Sequence, residues 1–317
     1  MYTPVKSMLA YGILSVCYCT FNRVIMTKFF FDYPIVLLIM QMAVLLFGIE
    51  VLRVTSSVKL HAYTFQRGKD VFPASLLYIM SHFLNLNCLD GTTMPLFPFI
   101  QRFTPLLIIE LNRHFNRKAR PSRFDMGCIG VICLSAAAAS VYDWSFDLWS
   151  IIYGIVAVCM ESYALFLMEK LKDQYNSWLE VLYMHAFNCL CVLLVADLIQ
   201  DEIRDSFMYL ATSTTFLFVI ILTIMVAIGV GFQVSLFYCL NYCGALHSSM
   251  INILASGIQL FVAYGLSVFL FYDLNPTWTN VFGVIIASCV AIYYYIVNRA
   301  LDAGNTYMPT KYGIEKS

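Results

Sequence analysis

Charge is what this chain has least of: only 12% of its 317 residues are Asp, Glu, Lys or Arg, about half the share of an average soluble protein. A water-soluble domain of this length could not cover its surface with so few. Nineteen basic and nineteen acidic residues leave no net charge, so no basic field exists to attract nucleic acid. Catalytic signatures are missing too: there is no Gly-x-Ser-x-Gly elbow, no His-Glu-x-x-His and no Gly-x-x-x-x-Gly-Lys phosphate loop. An enzyme, and transport coupled to bound ATP, therefore find no support, and no cofactor is implied. No Asn-x-Ser/Thr glycosylation acceptor occurs, which suits short outer loops. The eleven cysteines are odd in number and sit mostly inside apolar runs, against a disulfide framework. Within the pairs Cys17/Cys19 and Cys189/Cys191 the side chains would project from nearly opposite sides of a helix, so no metal site is implied.

What the chain has instead is apolar bulk, 61% of its residues, which roughly ten membrane helices of about 20 residues would absorb. Hydropathy and the charged or Pro/Gly breaks predict an all-α membrane protein with spans at about 7–27, 34–53, 71–89, 92–111, 124–142, 149–168, 178–198, 214–240, 245–271 and 278–298. Two pairs are hinged without a real loop, at Asp90-Gly91 and between Asn241 and Gly244. Sorting the basic residues by side tests the scheme. Lys6, Arg53, Lys59, Arg67, Lys69, Arg113, Arg117, Lys118, Arg120, Arg123, Lys170, Lys172, Arg299, Lys311 and Lys316 fall on one side, against Lys28 and Arg204 on the other. Positive-inside reasoning then puts both termini in the cytosol. The spans divide into halves of five, about 7–142 and 149–298, followed by a tail at 299–317, all in one transmembrane domain covering 1–317. An odd number of crossings per half would make the halves inverted repeats, as in many secondary transporters.

The polar residues inside this bulk are the functional candidates, because a charge in hydrocarbon persists mainly where it meets a cavity or a partner. Arg102 lies in the fourth span among Pro95, Pro98 and Pro105. A guanidinium beside a proline break suits a phosphate, and the bland alternative is a pair with Glu161. Arg23, near the end of the first span, either snorkels to headgroups or lines a site together with Asn22. In the ninth span Ser248, Ser249, Asn252, Ser256 and Gln259 recur at helical spacing, as a cavity lining or a close-packing seam. Ser75, Tyr78, His82 and Asn85 share a face of the third span, and Tyr183, His185 and Asn188 cluster in the seventh. Each group fits interhelical hydrogen bonding, or an aromatic surface with polar neighbours that reads a flat heterocycle.

Asn22-Arg23-Val24-Ile25-Met26-Thr27 with Pro34 and Gln41 resembles the Asn-Lys-x-x-x-Thr, Pro and Gln opening of nucleotide-sugar transporters in the drug/metabolite transporter superfamily, in particular the UDP-glucuronic acid/UDP-N-acetylgalactosamine branch. The likeness continues through Met94-Pro95-Leu96-Phe97, Gln101-Arg102-Phe103, Asp143 with Phe146-Asp147-Leu148, Gly244-Ala245-Leu246 and Trp278-Thr279-Asn280. It implies a Golgi or endoplasmic-reticulum carrier that exchanges a cytosolic nucleotide sugar for a lumenal nucleoside monophosphate by alternating access. The bilayer is then its surroundings, and a second copy of the chain is a candidate partner. By position, the resemblance assigns substrate contacts to Asn22, Gln41, Gln101, Arg102, Tyr183, His185, Ser248, Ser249 and Asn252. Tyr78, His82, Ser256 and Gln259 join them from the polar faces. The chain differs from the family in carrying Ala255-Ser256, or Gln259-Leu260 if a helical turn is inserted, where a Lys-Asn or Asn-Lys pair is usual, His185 where Asn is usual, and Gln101 for the first Arg. Two other readings stay open: a carrier of another small anionic metabolite, and a non-transporting membrane partner that kept the fold.

Overall fold

The computed structural model describes residues 2–92, 96–115, 123–140, 147–172, 174–175, 177–270 and 277–307. Among these every regular element is an α-helix: α1 (Tyr2–Phe29), α2 (Pro34–Val54), α3 (Phe65–Gly91), α4 (Leu96–Gln101), α5 (Thr104–Phe115), α6 (Arg123–Ser140), α7 (Leu148–Lys172), α8 (Trp178–Gln200), α9 (Glu202–Ser213), α10 (Phe216–Leu270) and α11 (Trp278–Tyr307). Six of them, α1, α2, α7, α8, α10 and α11, hold apolar windows long enough to cross a bilayer. The molecule is inside-out relative to a soluble protein. Phe47, Leu134, Leu198, Phe216 and Ile296 are exposed on the outside, while Asn22, Gln41, Ser75, His185, Gln233 and Asn280 are buried within. That distribution suits a solvent of lipid tails. The chain is an all-α membrane protein.

The expected fourth span is not one helix. Pro105 has no N–H to give the Gln101 carbonyl, so the α-helical ladder lapses there. The chain crosses the gap with tight turns from Arg102 N–H to Phe99 O (3.2 Å) and Phe103 N–H to Ile100 O (3.3 Å). Conversely, the expected eighth and ninth spans are a single run of 55 residues, kinked at Gly244, whose φ of 80° and ψ of 172° only glycine adopts readily. Contacts with α1 give the direction of the two arms. Along the first arm Phe218 meets Phe29, Phe232 meets Tyr18 and Cys243 meets Ser7. Along the second, Gly12 faces Ile251 and Ser15 binds both Asn252 and Gln259. The first arm is thus antiparallel to α1 and the second returns beside it. Glu169 secures the return, its Oε2 accepting the Ala245 N–H at 3.2 Å at the start of the second arm.

A short helix, α9, occupies a stretch expected to be loop. Its Glu202 caps another helix: Oε2 accepts the Ile35 N–H of α2 at 2.8 Å, where the α2 N-cap residue Tyr33 offers no side-chain cap. Around this end the rings of Phe29, Phe31, Tyr33, Tyr209 and Phe218 pack with centroids 5.0–6.3 Å apart. Arg23 lies here too. Its guanidinium does not snorkel outward but donates to the carbonyls of Leu89 and Asp90, the last turn of α3. Met94, Pro95, Asp143 and Phe146, named in the sequence reading, lie outside the described residues.

Candidate functional site

A narrow polar cavity of about 60 Å³ lies where α1, α3, α4, α7 and both arms of α10 meet. Ser15, Tyr18, Cys19 and Asn22 line it from α1, His82, Asn85, Leu86 and Leu89 from α3, and Phe97 and Gln101 from α4. Glu161 of α7, Phe232 of the first arm, and Asn252 and Gln259 of the second complete the wall. Helical spacing explains the convergence: Ser15, Tyr18 and Asn22 are three and four residues apart, as are His82, Asn85 and Leu89, so each helix turns one stripe inward.

The wall has an aromatic side and an amide side. Tyr18 and Phe232 stack nearly parallel, with centroids 4.7 Å apart and planes 3° apart, and His82 stands edge-on to both at 6.2 and 5.9 Å. On the other side Ser15 Oγ donates to Asn252 Oδ1 at 3.0 Å, and Gln259 Nε2 donates to the Ser15 carbonyl at 3.1 Å. Asn85 Nδ2 donates to Glu161 Oε2 at 3.3 Å. The Tyr18 hydroxyl, Asn22 Oδ1 and Asn85 Oδ1 are buried without a hydrogen-bond partner among the described residues. Leaving such atoms unsatisfied costs about 1–3 kcal/mol each, so the cavity wall is built to be completed by something polar.

Of the residues expected to bind substrate, Asn22, His82, Gln101, Asn252 and Gln259 come together at this cavity. The others do not line it. Gln41 is fully buried in a helix contact, its Nε2 3.4 Å from Met225 Sδ. Tyr78 stands behind His82, with ring centroids 4.4 Å apart. His185 hydrogen-bonds through Nδ1 to Ser75 Oγ at 3.0 Å, deep in the core. Tyr183 lies on α8 just before His185 and faces the hydrophobic core. Ser248, Ser249 and Ser256 bond back to Gly244, Leu246 and Ile253 carbonyls of their own helix, leaving Asn252 and Gln259 as the long side chains that reach the cavity from that stripe.

Arg102 sits beside the cavity residue Gln101 at the break between α4 and α5. It is 2% exposed and forms no pair with Glu161, and its Nε and Nη2 have no partner among the described residues. The Thr104 hydroxyl, two residues on, is buried and unpartnered as well. Sequence reasoning missed Ser15, Tyr18 and Phe232 among the cavity residues. Ser15 and Tyr18 could have been found from their helical spacing to Asn22, whereas Phe232 is one of 25 phenylalanines and carries no local signal.

A second cavity, of about 330 Å³, opens at the Gly244 kink and is lined by Asn112, Arg113, Asp125, Glu169 and His247 among others. It lies at the end of the bundle opposite Arg23. No cluster of three or more metal-ligating side chains occurs among the described residues.

No family model matches the chain. It is 24% identical to the UDP-sugar transporter sqv-7 of Caenorhabditis elegans, over 98% of this chain and 93% of that protein. It is 25% identical to UDP-galactose/UDP-glucose transporter 7 of Arabidopsis thaliana over 61% of this chain; the match spans 62% of that relative, less than two thirds of its length. GDP-fucose transporter 1 of Arabidopsis thaliana is 24% identical over 57% of the chain and 53% of its own length. These curated relatives are nucleotide-sugar transporters. A solved protein crystal structure superposes with a TM-score of 0.59 at 10% identity, covering 94% of this chain and 99% of that one, and so shares the fold.

Proposed function

We propose that the chain is a nucleotide-sugar carrier, for UDP-sugars in the first place, which exchanges them for a nucleoside monophosphate across the Golgi membrane with both termini cytosolic. The observation that carries this reading is the polar, partly unsatisfied cavity held between the two arms of α10 and helices α1, α3, α4 and α7 in a molecule with a lipid-facing exterior. The nucleotide-sugar transporters among its relatives support it. Tyr18 and Phe232 offer a flat aromatic wall for a base, Asn22, Asn252 and Gln259 offer amides for hydroxyl and phosphoryl oxygens, and Arg102 is a buried cation next in sequence to the wall residue Gln101. Inverted five-helix halves would supply the two access states.

Ligand pockets for molecules of drug size measure about 300–1,000 Å³. A cavity of about 60 Å³ is therefore a narrowed state, and the carrier must widen to load. One observation favours a second reading: among the described residues, neither Lys nor Arg lines the cavity, which suits a less anionic metabolite. Both readings are tested together. Purified protein in liposomes preloaded with UMP should take up labelled UDP-sugar, and Arg102→Ala should reduce that uptake. Absence of exchange across a panel of UDP- and GDP-sugars would overturn the proposal, and thermal stabilisation by a non-nucleotide anion would favour the second reading.

A further inference from the structure

Glu161 lies within the membrane-spanning helix α7, thirteen residues beyond its first residue and eleven before its last. It is 9% exposed, and among the described residues the one hydrogen bond to its carboxylate, from Asn85, is long at 3.3 Å. It stands in no ion pair among the described residues. Among the described residues, the groups around it offer no fixed positive charge. From α3 they are His82 and Tyr78, and from α1 Tyr11 and Tyr18; Tyr11 and Tyr78 are within electrostatic range. Arg102, at the end of α4, does not reach it. Of the other neighbours of α7, α5 carries Glu110 paired with Arg113 and also His114, α8 carries His185 and the Arg67-paired Glu180, and the first arm of α10 adds Cys239. A carboxylate in such surroundings, with neither a counter-charge nor several donors, is far costlier than the neutral acid.

We propose that Glu161 is a proton-binding site inside the cavity and that loading an anionic solute is coupled to its protonation. The inference rests on the carrier reading above and deepens it. When the cavity widens to water the carboxyl can ionise, and its charge then faces the phosphoryl groups of an entering nucleotide sugar. Loading requires the carboxylate to take one proton from the loading compartment, forming the O–H bond. That proton remains with the loaded carrier and returns to water when the anion has left on the other side. Each loaded anion is thus accompanied by one proton, with Asn85 positioning the acid.

The test is counterflow of labelled UDP-sugar into UMP-loaded liposomes between about pH 6 and pH 8, with wild-type protein, Glu161→Gln and Asn85→Leu. Above the titration midpoint, affinity should fall by about tenfold per pH unit in wild type. Glu161→Gln should give a flat profile, and Asn85→Leu, which loses a donor to the ionised form, should move the fall to higher pH. A flat wild-type profile, or a slope retained in Glu161→Gln, would overturn the proposal. A second arm needs no substrate: on raising the pH over the same range, ligand-free wild type in detergent should lose more melting temperature than Glu161→Gln. Equal changes would overturn proton binding at Glu161 even if Asn85→Leu failed to fold. If wild type exchanges no nucleotide sugar in any condition, the carrier reading and the coupling fall with it, while the melting arm still decides whether Glu161 binds the proton.

Discussion

Gln41 fills a notch that Gly229 leaves open: a Cβ placed on Gly229 would stand 2.4 Å from Gln41 Cδ, far inside contact distance. Here α2 and the first arm of α10 cross at the closeness that a missing side chain allows, as in other membrane helix pairs. Gly229→Ala must push Gln41 aside or part the helices. It is expected to destabilise the protein by about 1–3 kcal/mol, the usual cost of overpacking. Thermal melting in detergent measures this, and a double variant, Gly229→Ala with Gln41→Ala, should recover part of the loss. No recovery would show that the two residues do not share the notch.

The kink at Gly244 should be similarly intolerant. Its backbone conformation is open to glycine, and an added Cβ would meet Glu169 Oε1 at 3.1 Å. Gly244→Val should cost on the order of 1–3 kcal/mol for the backbone alone. Glu169→Gln, which keeps an acceptor for the Ala245 N–H but removes the charge at a helix start, should cost less, about 0.3–1 kcal/mol. The two melting temperatures are compared directly, and the reverse ranking would contradict the hinge geometry.

Arg23 ties α1 to the end of α3 at the Leu89 and Asp90 carbonyls, close to the cavity residues Asn22 and Leu89. Arg23→Ala is expected to loosen that end and admit reagents. The observable is alkylation of Cys19, a buried cavity residue, resolved by peptide mass spectrometry. Several-fold faster labelling is the expected outcome; an unchanged rate would mean that the aromatic cluster alone holds the end shut.

Two carboxyls outside the spans give a pH dependence with a definite sign. Burial lifts Asp32 above the ordinary carboxylate range, with Asp90 adding to it. Burial also lifts Glu202, opposed by the Ile35 and Val36 N–H groups and reinforced by Asp32 and Asp197. Between the ordinary value of about 4 and the raised one, the folded chain holds protons that the unfolded chain has released. Stability from these groups is therefore present at low pH and lost as pH rises through that window. Melting temperature should increase as pH is lowered from neutral toward about 5, and Asp32→Asn with Glu202→Gln should flatten that slope. An identical slope in the double variant would remove these groups as its cause.

The helical, membrane-spanning character was legible in the sequence because apolar runs of about 20 residues have few other fates. Breaks dictated by chemistry were legible too: the hinge expected between Asn241 and Gly244 lies at Gly244. What hydropathy could not see was α9, too short and too polar to register as a span, or the split of the fourth span into two helices. At the candidate cavity, His82, Asn252 and Gln259 stand out in the sequence as polar side chains at helical spacing, and Asn22 and Gln101 through the family resemblance. The serines of the same stripe share that spacing, but their hydroxyls bond to carbonyls of their own helix, which periodicity does not reveal. Tyr18 and Phe232 form the cavity's aromatic wall by virtue of one another, a pairing across more than two hundred positions that no local pattern records.

The hinge in α10 has a practical consequence for anyone mapping this molecule from outside. A chain that turns back at one glycine, with Glu169 already bonded to the next amide, exposes no loop for a protease, an antibody or an inserted epitope. Insertions there are expected to abolish expression rather than report a side. A topology map that relies on tolerated insertions would pass straight over the turn and count the two arms as one crossing, inverting its assignment of everything that follows.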